Sequence, residues 1–582
     1  MSCTDFAYPL NVYAHMLELD EGRLDYLHYG LFERPDEPVW QAQERASGCL
    51  WQVLPPPCRV LEVGIGVGTT LRRLCDRGYQ ATGITPDAAQ VAEVRRRHGD
   101  RIDARVCTLQ DMGAPSQPFD TLLLQESAQY IEPLALFEAA DRLLGNEACI
   151  VLMDEFAMRR PHASAVGLHL HAHVVALAQR MGWTVEHDED VSAQAAHTVQ
   201  AIERLVQRRR QELLRDLPVQ AEQLDALVTS ARQYRDRYAQ GLYGYRVMRL
   251  RRRARPALRL GEVGSAGAQA MRALFERVFE RPMTDAEWHW KYGSGRGHAV
   301  GLWRGDVLVA HYGALTREVL IDGKVGRAAQ VGDVMVAPDA NAGLGRQGAL
   351  HRVSATLLEQ QIGWGAPHRV GFGFPNERAM RVAERLGLYA AVDDMVQLQW
   401  TVAPVAPALD RLWLMHEVDP ARLGERDPDW TRLARAWKAM AAALPRALLP
   451  LRDPAWLRHR YGRRPGARYR LWLLRHRLGL RPPAALVLRE HPDHAELMDL
   501  IGAPATWPVL LRAARRLAID AGLPRLQAWI TRSHAQHLDD PADPAQVLEL
   551  GVRVPSCAHT EGPSPQSLQG RWFLMGGDTD FR

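Results

Sequence analysis

The sequence predicts an α/β fold throughout: a nucleotide-binding parallel sheet in the N-terminal half, then two smaller α/β units, the second a degenerate copy of the first. Three observations predict it. Arg59-Val60-Leu61-Glu62-Val63 is an apolar run with an acidic residue near its end, and it passes straight into Gly64-Ile65-Gly66-Val67-Gly68 and a helix start at Thr69-Thr70-Leu71. Short apolar strands and amphipathic helices follow it in alternation. Beyond Leu258 hairpin turns take over, and a second strand, glycine-rich loop and helix occur around residues 332–348.

Glycines let a backbone approach a ligand closely, and a helix N-terminus offers free N–H groups. Ile84-Thr85 ends a second strand about twenty residues on, where a Rossmann-type site contacts a ribose. The spacing Glu62-x-Gly64-x-Gly66-x-Gly68 departs from the dinucleotide pattern GxGxxG and resembles motif I of class I S-adenosylmethionine-dependent methyltransferases. Later segments resemble that family in order: Tyr79–Thr85 a second strand, Val106–Met112 a strand whose acidic end meets adenine, and Phe119–Glu126 a fourth strand ending at the reaction centre. Leu143–Asn146 and Ala148–Phe156 resemble its turn and fifth strand. The resemblance implies S-adenosyl-L-methionine as cofactor, held by Glu62, Gly64, Gly66, Gly68, Asp111, Met112 and Gln125.

Within that family, the leader Leu27-His28-Tyr29-Gly30-Leu31-Phe32 resembles the one that the cyclopropane-synthase group folds over the methionine end of the cofactor, which implies a contact from Tyr29. The same group has Thr where most relatives carry an acid after the second strand, with Gln five residues on; Thr85 and Gln90 match and should bind ribose. Val67 stands where that group usually has Trp, which favours a soluble acceptor over a membrane olefin.

Hydrophobic residues make up 47% of 582, enough for three or four well-packed units. No apolar run reaches the length of a membrane span, and Met1–Asp5 is no signal peptide. Seven cysteines without a CxxC pair or disulfide framework fit a reducing cytoplasm. A net charge of +4 is too small to imply a nucleic-acid partner, so the triplets Arg95–Arg97, Arg208–Arg210 and Arg251–Arg253 read as solvated faces or a boundary. The sequence leaves a homodimer open. Only three lysines occur, at 291, 324 and 438.

Methyl transfer needs the acceptor positioned and, when protonated, relieved of a proton. Glu126 follows the fourth strand and is the first candidate; position alone fits a helix cap or surface carboxylate equally well. Tyr130 and Glu155 are further candidates of the same kind. On a helix, His169 and His173 of His-x-His-x-His would share a face able to bind zinc, but no cysteine or carboxylate cluster accompanies them. Metal is not expected, and substrate contact is the preferred functional reading. A charged helix pair over 199–240 should cover the substrate side as part of a helical lid insertion at about 157–240. Tyr243–Leu250 should close the sheet before the linker Arg251–Pro256.

From 257 to about 400, an amphipathic helix, Asp285–Gly293, short strands joined at Arg304-Gly305-Asp306 and Asp322-Gly323-Lys324, and a strand Gly332–Val336 lead into Asn341-Ala342-Gly343-Leu344-Gly345-Arg346-Gln347-Gly348. This order resembles the GNAT acyltransferase superfamily, as do Phe374-Pro375-Asn376-Glu377-Arg378-Ala379 and Glu384-Arg385-Leu386-Gly387. It implies acetyl-CoA or another acyl-CoA, with its pyrophosphate on Gly343, Gly345 and Gly348 and further contacts from Val336 and Asn376. Two departures weigh against acyl transfer: Ala340-Asn341 replace the usual basic or amide residue before the loop, and Ala383 stands where a Tyr often protonates the thiolate. Asp333 and His311 are alternative bases. Asp453–Gly462 echoes Asp285–Gly293, so residues 405–582 read as a degenerate copy with a structural role.

The expected organisation is therefore a methyltransferase domain at 1–253, a GNAT-like domain at 257–404 and a degenerate GNAT-like domain at 405–582. The leading function is a bifunctional tailoring enzyme that methylates a small-molecule or carrier-linked acceptor and acylates the same or a related molecule. The alternative keeps the methyltransferase and makes the GNAT-like half a binding or dimerisation module.

Overall fold

The computed structural model describes residues 5–160, 167–340, 345–402, 411–538 and 544–582. Gly343 and the 341–344 part of the second glycine-rich loop lie outside them. The chain divides into two compact units, Met1–Glu262 and Val263–Arg582.

In the first unit, β1 (Arg59–Val63) is buried along nearly its whole length, as a central parallel strand must be. It pairs in parallel with β2 (Gln80–Thr85) on one side and β4 (Phe119–Gln125) on the other. With β3 (Asp103–Val106), β5 (Leu144–Ala157), β6 (Thr184–Asp190) and β7 (Tyr243–Arg252), the sheet runs β3-β2-β1-β4-β5-β7-β6. β7 is antiparallel to both neighbours and lies between β5 and β6, so it fills the sheet where the sequence placed a closing edge. Strand order reverses between β1 and β4, and at such a switch point a crevice opens at the carboxyl ends of the strands.

Helices α1 (Leu10–Glu21), α2 (Val39–Val53), α3 (Thr69–Asp76), α4 (Ala88–His98), α5 (Pro133–Leu143) and α6 (His171–Arg180) surround the sheet sequence. Where the chain turns into α4 and α5, Asp87 and Glu132 accept from the backbone N–H groups of Ala89 and Ala135. Each such cap is worth about 1 kcal/mol. The expected lid resolves into α7 (Ser192–Arg208), α8 (Arg210–Asp216) and α9 (Ala221–Ala239), while the earlier part of that insertion contributes β6 to the sheet. Leu205, Leu213, Leu224 and Leu227 bury against Val12, Met16 and Leu17 of α1, so lid and leader share one apolar core. That packing carries the lid, since helices of this length are marginal alone.

The short strand β8 (Arg259–Glu262) ends the unit. The second unit opens with α10 (Ala268–Phe279) and α11 (Asp285–Tyr292), followed by β9 (Gly297–Arg304), β10 (Val307–Ile321) and β11 (Lys324–Val336). β10 is one continuous strand because Leu315–Glu318 stay paired with β11. Asp322 and Gly323 both have positive φ, the turn that matches hairpin twist. After α12 (Ala349–Gln361), β12 (Val370–Gly373) joins β11 in parallel, and α13 (Glu377–Arg385) follows.

The next strand, β13 (Tyr389–Thr401), pairs not with β12 but with strands from the end of the chain. The elements in between are β14 (Trp413–Val418), α14 (Pro428–Ala443), β15 (Leu449–Pro450), α15 (Pro454–Leu457), β16 (Arg470–His476), β17 (Ala484–Glu490), β18 (Ala495–Ile501), α16 (Trp507–Asp520), β19 (Arg525–Thr531) and β20 (Gln546–Cys557). Their sheet runs β14-β16-β17-β18-β19-β13-β20. Trp572–Met575 are fully buried and touch the framework at single bridges to Leu448 and Ile530, so this stretch is an inserted segment.

Buried ion pairs lock this half. Arg452 spans Asp499 (2.6 Å) and Asp578 (2.5 Å) and gives a third hydrogen bond to the Pro450 carbonyl. Lys291 spans Asp333 (2.9 Å) and Asp580 (2.7 Å).

Candidate functional site

A cavity of about 670 Å³ opens in the first unit at the predicted switch point. Glu62, Gly64, Gly66, Thr85, Gln90, Gln125, Glu126, Tyr29 and Tyr130 all line it. The three glycines of the turn have φ of +80°, +51° and +79°, a conformation costly for other residues. Gly68 holds the N-cap of α3 and packs against Val94, outside the lining.

Two expected adenine contacts fall elsewhere. Asp111 is exposed and accepts from the Thr108 hydroxyl within its own turn (2.6 Å), while Met112 is buried outside the lining. The cavity wall there is built instead by Cys107–Gln110, because the chain leaves β3 at Val106 and turns immediately.

The polar groups fit a cofactor with both an ammonium and a carboxylate. Glu62 Oε2 and Gln125 Nε2 are buried without a hydrogen-bond partner among the described residues, one acceptor and one donor facing the same space. Burial pushes the Glu62 carboxyl up to about 8, a strain that a bound cation would relieve. Thr85 donates to Gln90 Oε1 (3.0 Å), holding both at the end of β2.

A second wall comes from the ends of β4 and β5. Glu126 is a non-glycine residue at φ +55°, strained backbone of the kind that gathers at functional sites. Its Oε1 accepts from the Tyr29 backbone N–H (2.5 Å) and the Tyr245 hydroxyl (2.6 Å). The rings of Tyr29 and Tyr245 stack at 5.6 Å. Burial drives the Glu126 carboxyl well above its ordinary range. Glu155 accepts from the Tyr238 hydroxyl (2.6 Å), and burial pushes it up to about 7. Asp154 beside it accepts from the N–H groups of Ala128 (2.7 Å) and Gln129 (3.2 Å), fixing the loop that carries Tyr130.

Tyr245, Tyr13 and Tyr234 were not singled out as site residues by the sequence reading. Tyr245 sits mid-strand in an apolar alternation, and the other two lie on helices far from motif I in sequence, so only the fold brings them here. His169, His171 and His173 do not line the cavity. α6 begins at His171, so His169 precedes it and shares no helical face with His173; His171 pairs with Asp188 at 3.0 Å. Among the described residues no group of three His, Cys, Asp or Glu side chains gathers as a metal site.

The raised carboxylates set a pH dependence. Burial holds Glu62 at about 8 and Glu138, Asp154 and Glu155 at about 7, all above their unfolded values. Between pH 6.5 and 8 the folded state therefore binds more protons than the unfolded one, and stability falls as pH rises. Buried histidines such as His28, pushed down to about 4 by burial, act only below about 6.5, where unfolded histidine titrates. Thermal unfolding of the full chain should show a lower midpoint at pH 8 than at pH 6.5, and Glu155→Gln should flatten the difference. A midpoint rising over that interval would contradict the assignment.

In the second unit β12 ends at Gly373, paired with Val331, so β11 from Gly332 to Val336 has no β12 partner on that edge. Val336 stands on this free edge, and Gly345 and Gly348 follow before α12. Asn376 is exposed, and its Oδ1 caps α13 by accepting from Ala379 N–H (2.9 Å). Asp333 is committed as well, to Lys291 and to the Tyr292 hydroxyl (2.7 Å). Burial pushes its carboxyl up, and the Lys291 ammonium more than offsets this, leaving it below its ordinary value. His311 is tied to the Asp333 carbonyl (2.7 Å), so both alternative bases read as structural.

A sheet ordered 3-2-1-4-5-7-6 with a glycine turn at its switch point defines a Rossmann-like α/β domain, followed by a second α/β unit. Residues 60–146 match the family model described as a methyltransferase domain, and residues 262–390 match that of an acetyltransferase (GNAT) domain. No curated protein matches the sequence. Among solved structures, the chain is similar to an O-methyltransferase from a trans-AT PKS multienzyme of Brevibacillus brevis in complex with S-adenosyl-L-homocysteine (19% identity, 39% of this chain and 84% of that one, TM-score 0.32). It is also similar to a cyclopropane synthase from Mycobacterium tuberculosis (16%, 43% and 95%, TM-score 0.36). A conserved protein from Enterococcus faecalis V583 described as a probable N-acyltransferase is 13% identical, with 54% of this chain and 74% of that one covered and a TM-score of 0.41. No helix among the described residues is long and apolar enough to cross a membrane.

Proposed function

We propose that the chain is a cytoplasmic bifunctional transferase. Its first domain, 1–253, methylates a small-molecule or carrier-linked acceptor with S-adenosyl-L-methionine; its second half, read as GNAT-like domains at 257–404 and 405–582, uses an acyl-CoA. The observation that carries the methyl-transfer reading is the 670 Å³ cavity, lined by the unpartnered Glu62 and Gln125 atoms and by Glu126. S-adenosyl-L-methionine supplies an electrophilic methyl on a sulfonium. Glu62, Gln125 and the motif I turn hold the amino-acid end, and Thr85 and Gln90 hold the ribose. The lid and leader helices exclude water, while Glu155, beside Glu126, takes a proton from the acceptor.

Support for acyl-CoA binding is the free edge of β11 at Gly332–Val336 beside the Gly345–Gly348 loop end. A second reading, in which this half only binds or dimerises, is favoured by two observations. Asn376 uses its carbonyl oxygen as a helix cap, and Ala383 offers no hydroxyl. Calorimetric titration of the full chain with S-adenosylhomocysteine and with acetyl-CoA separates the readings. Two independent sites of micromolar strength are expected. Binding of the first alone would leave the second reading, and failure of the first would overturn the methyltransferase assignment.

A further inference from the structure

We propose that the methyl acceptor is an amine carried on an apolar body, received in the first-unit cavity as an ammonium between tyrosine rings and the Glu126–Glu155 wall. This rests on the methyltransferase reading and names its substrate class.

Charge argues first. Of the 72 basic residues besides histidine, three are lysines and the rest arginines, yet no Arg or Lys lines the cavity among the described residues. Five carboxylates do: Asp25, Glu62, Asp87, Glu126 and Glu155. Glu62 and Asp87 lie at the cofactor end, on the motif I strand and just after β2. Glu126 and Glu155 stand apart from them at the ends of β4 and β5. A carboxylate or phosphate acceptor would find no Arg or Lys counter-ion there and would lie against the Glu126 and Glu155 carboxyls, a costly juxtaposition.

The rings argue next. The part-buried Tyr13, Tyr29 and Tyr234 line the same space, as do the exposed Tyr8 and Tyr130. Aromatic faces attract cations, most strongly where water is excluded. Glu126 directs Oε1 to Tyr29 and Tyr245, while its Oε2 accepts no hydrogen bond among the described residues and is available to an N–H donor. Leu10, Met16 and Leu17 of α1, with Ile202, Leu205 and Leu227 of the lid, supply an apolar wall for the rest of the molecule.

The chemistry balances with groups already named. The ammonium gives its proton to Glu155, which returns it to solvent after turnover. The freed nitrogen lone pair forms a bond to the methyl carbon as the carbon–sulfur bond breaks. That pair stays on sulfur, the sulfonium becomes a thioether, and the positive charge ends on the methylated nitrogen.

The test uses the full chain saturated with S-adenosylhomocysteine and three probes of equal length: N-methyloctylamine, octan-1-ol and octanoate. Calorimetry should show the amine binding at least tenfold more tightly than either other probe. Glu155→Gln should weaken the amine at least tenfold while S-adenosylhomocysteine binding is kept, which also reports that the variant is folded. Methyl-labelled S-adenosyl-L-methionine should label N-methyloctylamine. Alcohol or carboxylate binding as tightly as the amine would overturn the inference with the methyltransferase reading intact. Failure of S-adenosylhomocysteine to bind the unaltered chain would overturn both.

Discussion

Gly66→Asp should reduce affinity for S-adenosylhomocysteine by at least two orders of magnitude while the chain stays folded. Gly66 has a φ of +51°, which an L side chain adopts at a cost of roughly 1–2 kcal/mol. There is space for the added atoms: a Cβ would meet nothing closer than Leu27 Cδ1 at 3.6 Å. The loss therefore comes from placing a carboxylate in the cradle beside Glu62. Gly64 and Gly68 are poorer choices, because a Cβ there would meet Ser127 Cβ at 2.7 Å and Val94 Cγ2 at 2.8 Å and disturb packing as well. Calorimetry with a thermal scan of the same sample checks this. Affinity within threefold of the unaltered chain would mean the turn does not hold the cofactor.

Arg452→Met should be the most destabilising single change in the second half. The guanidinium is fully buried, and so is Asp499; Asp578 is 2% exposed. Burial alone would lower the guanidinium, but Asp499 and Asp578 reverse this and hold it charged. Removing it leaves two buried carboxylates facing each other, with Arg317 at 3.2 Å the one remaining cation paired with Asp578 among the described residues. Breaking such a pair costs roughly 3–5 kcal/mol, a fall in Tm on the order of 10 °C for a unit of this size. Adding Asp499→Leu should recover part of the loss. A Tm unchanged by Arg452→Met would show the network to be dispensable.

Much of the first unit was legible because its signals are local. An apolar strand, three glycines and a helix start lie within a dozen residues, and Thr85 and Gln90 follow at a fixed offset. What was missed depends on tertiary contact. Tyr245 reaches Glu126 across 119 residues, and Tyr234 enters from a lid helix whose sequence reads only as amphipathic. Asp111 was misplaced by a few residues because strand ends are set by the turn chemistry of Thr108, not by periodicity. In the second half, hairpins and helices were readable from turns and apolar spacing. The exchange of β13 onto β19 and β20 was not, since strand partners leave no mark on the alternation of a strand. The use of Asn376 as a cap illustrates a further limit: Asn before a helix fits both a ligand contact and an N-cap, and geometry alone decides.

The most direct test of the central claim is a crystal structure of the full chain with S-adenosylhomocysteine. The account predicts density within the first-unit cavity, with the amino group on Glu62, the ribose on Thr85 and Gln90, and the sulfur directed at the Glu126–Glu155 wall. A bound ligand anywhere else, or one in the cavity with its sulfur turned away from that wall, would contradict it.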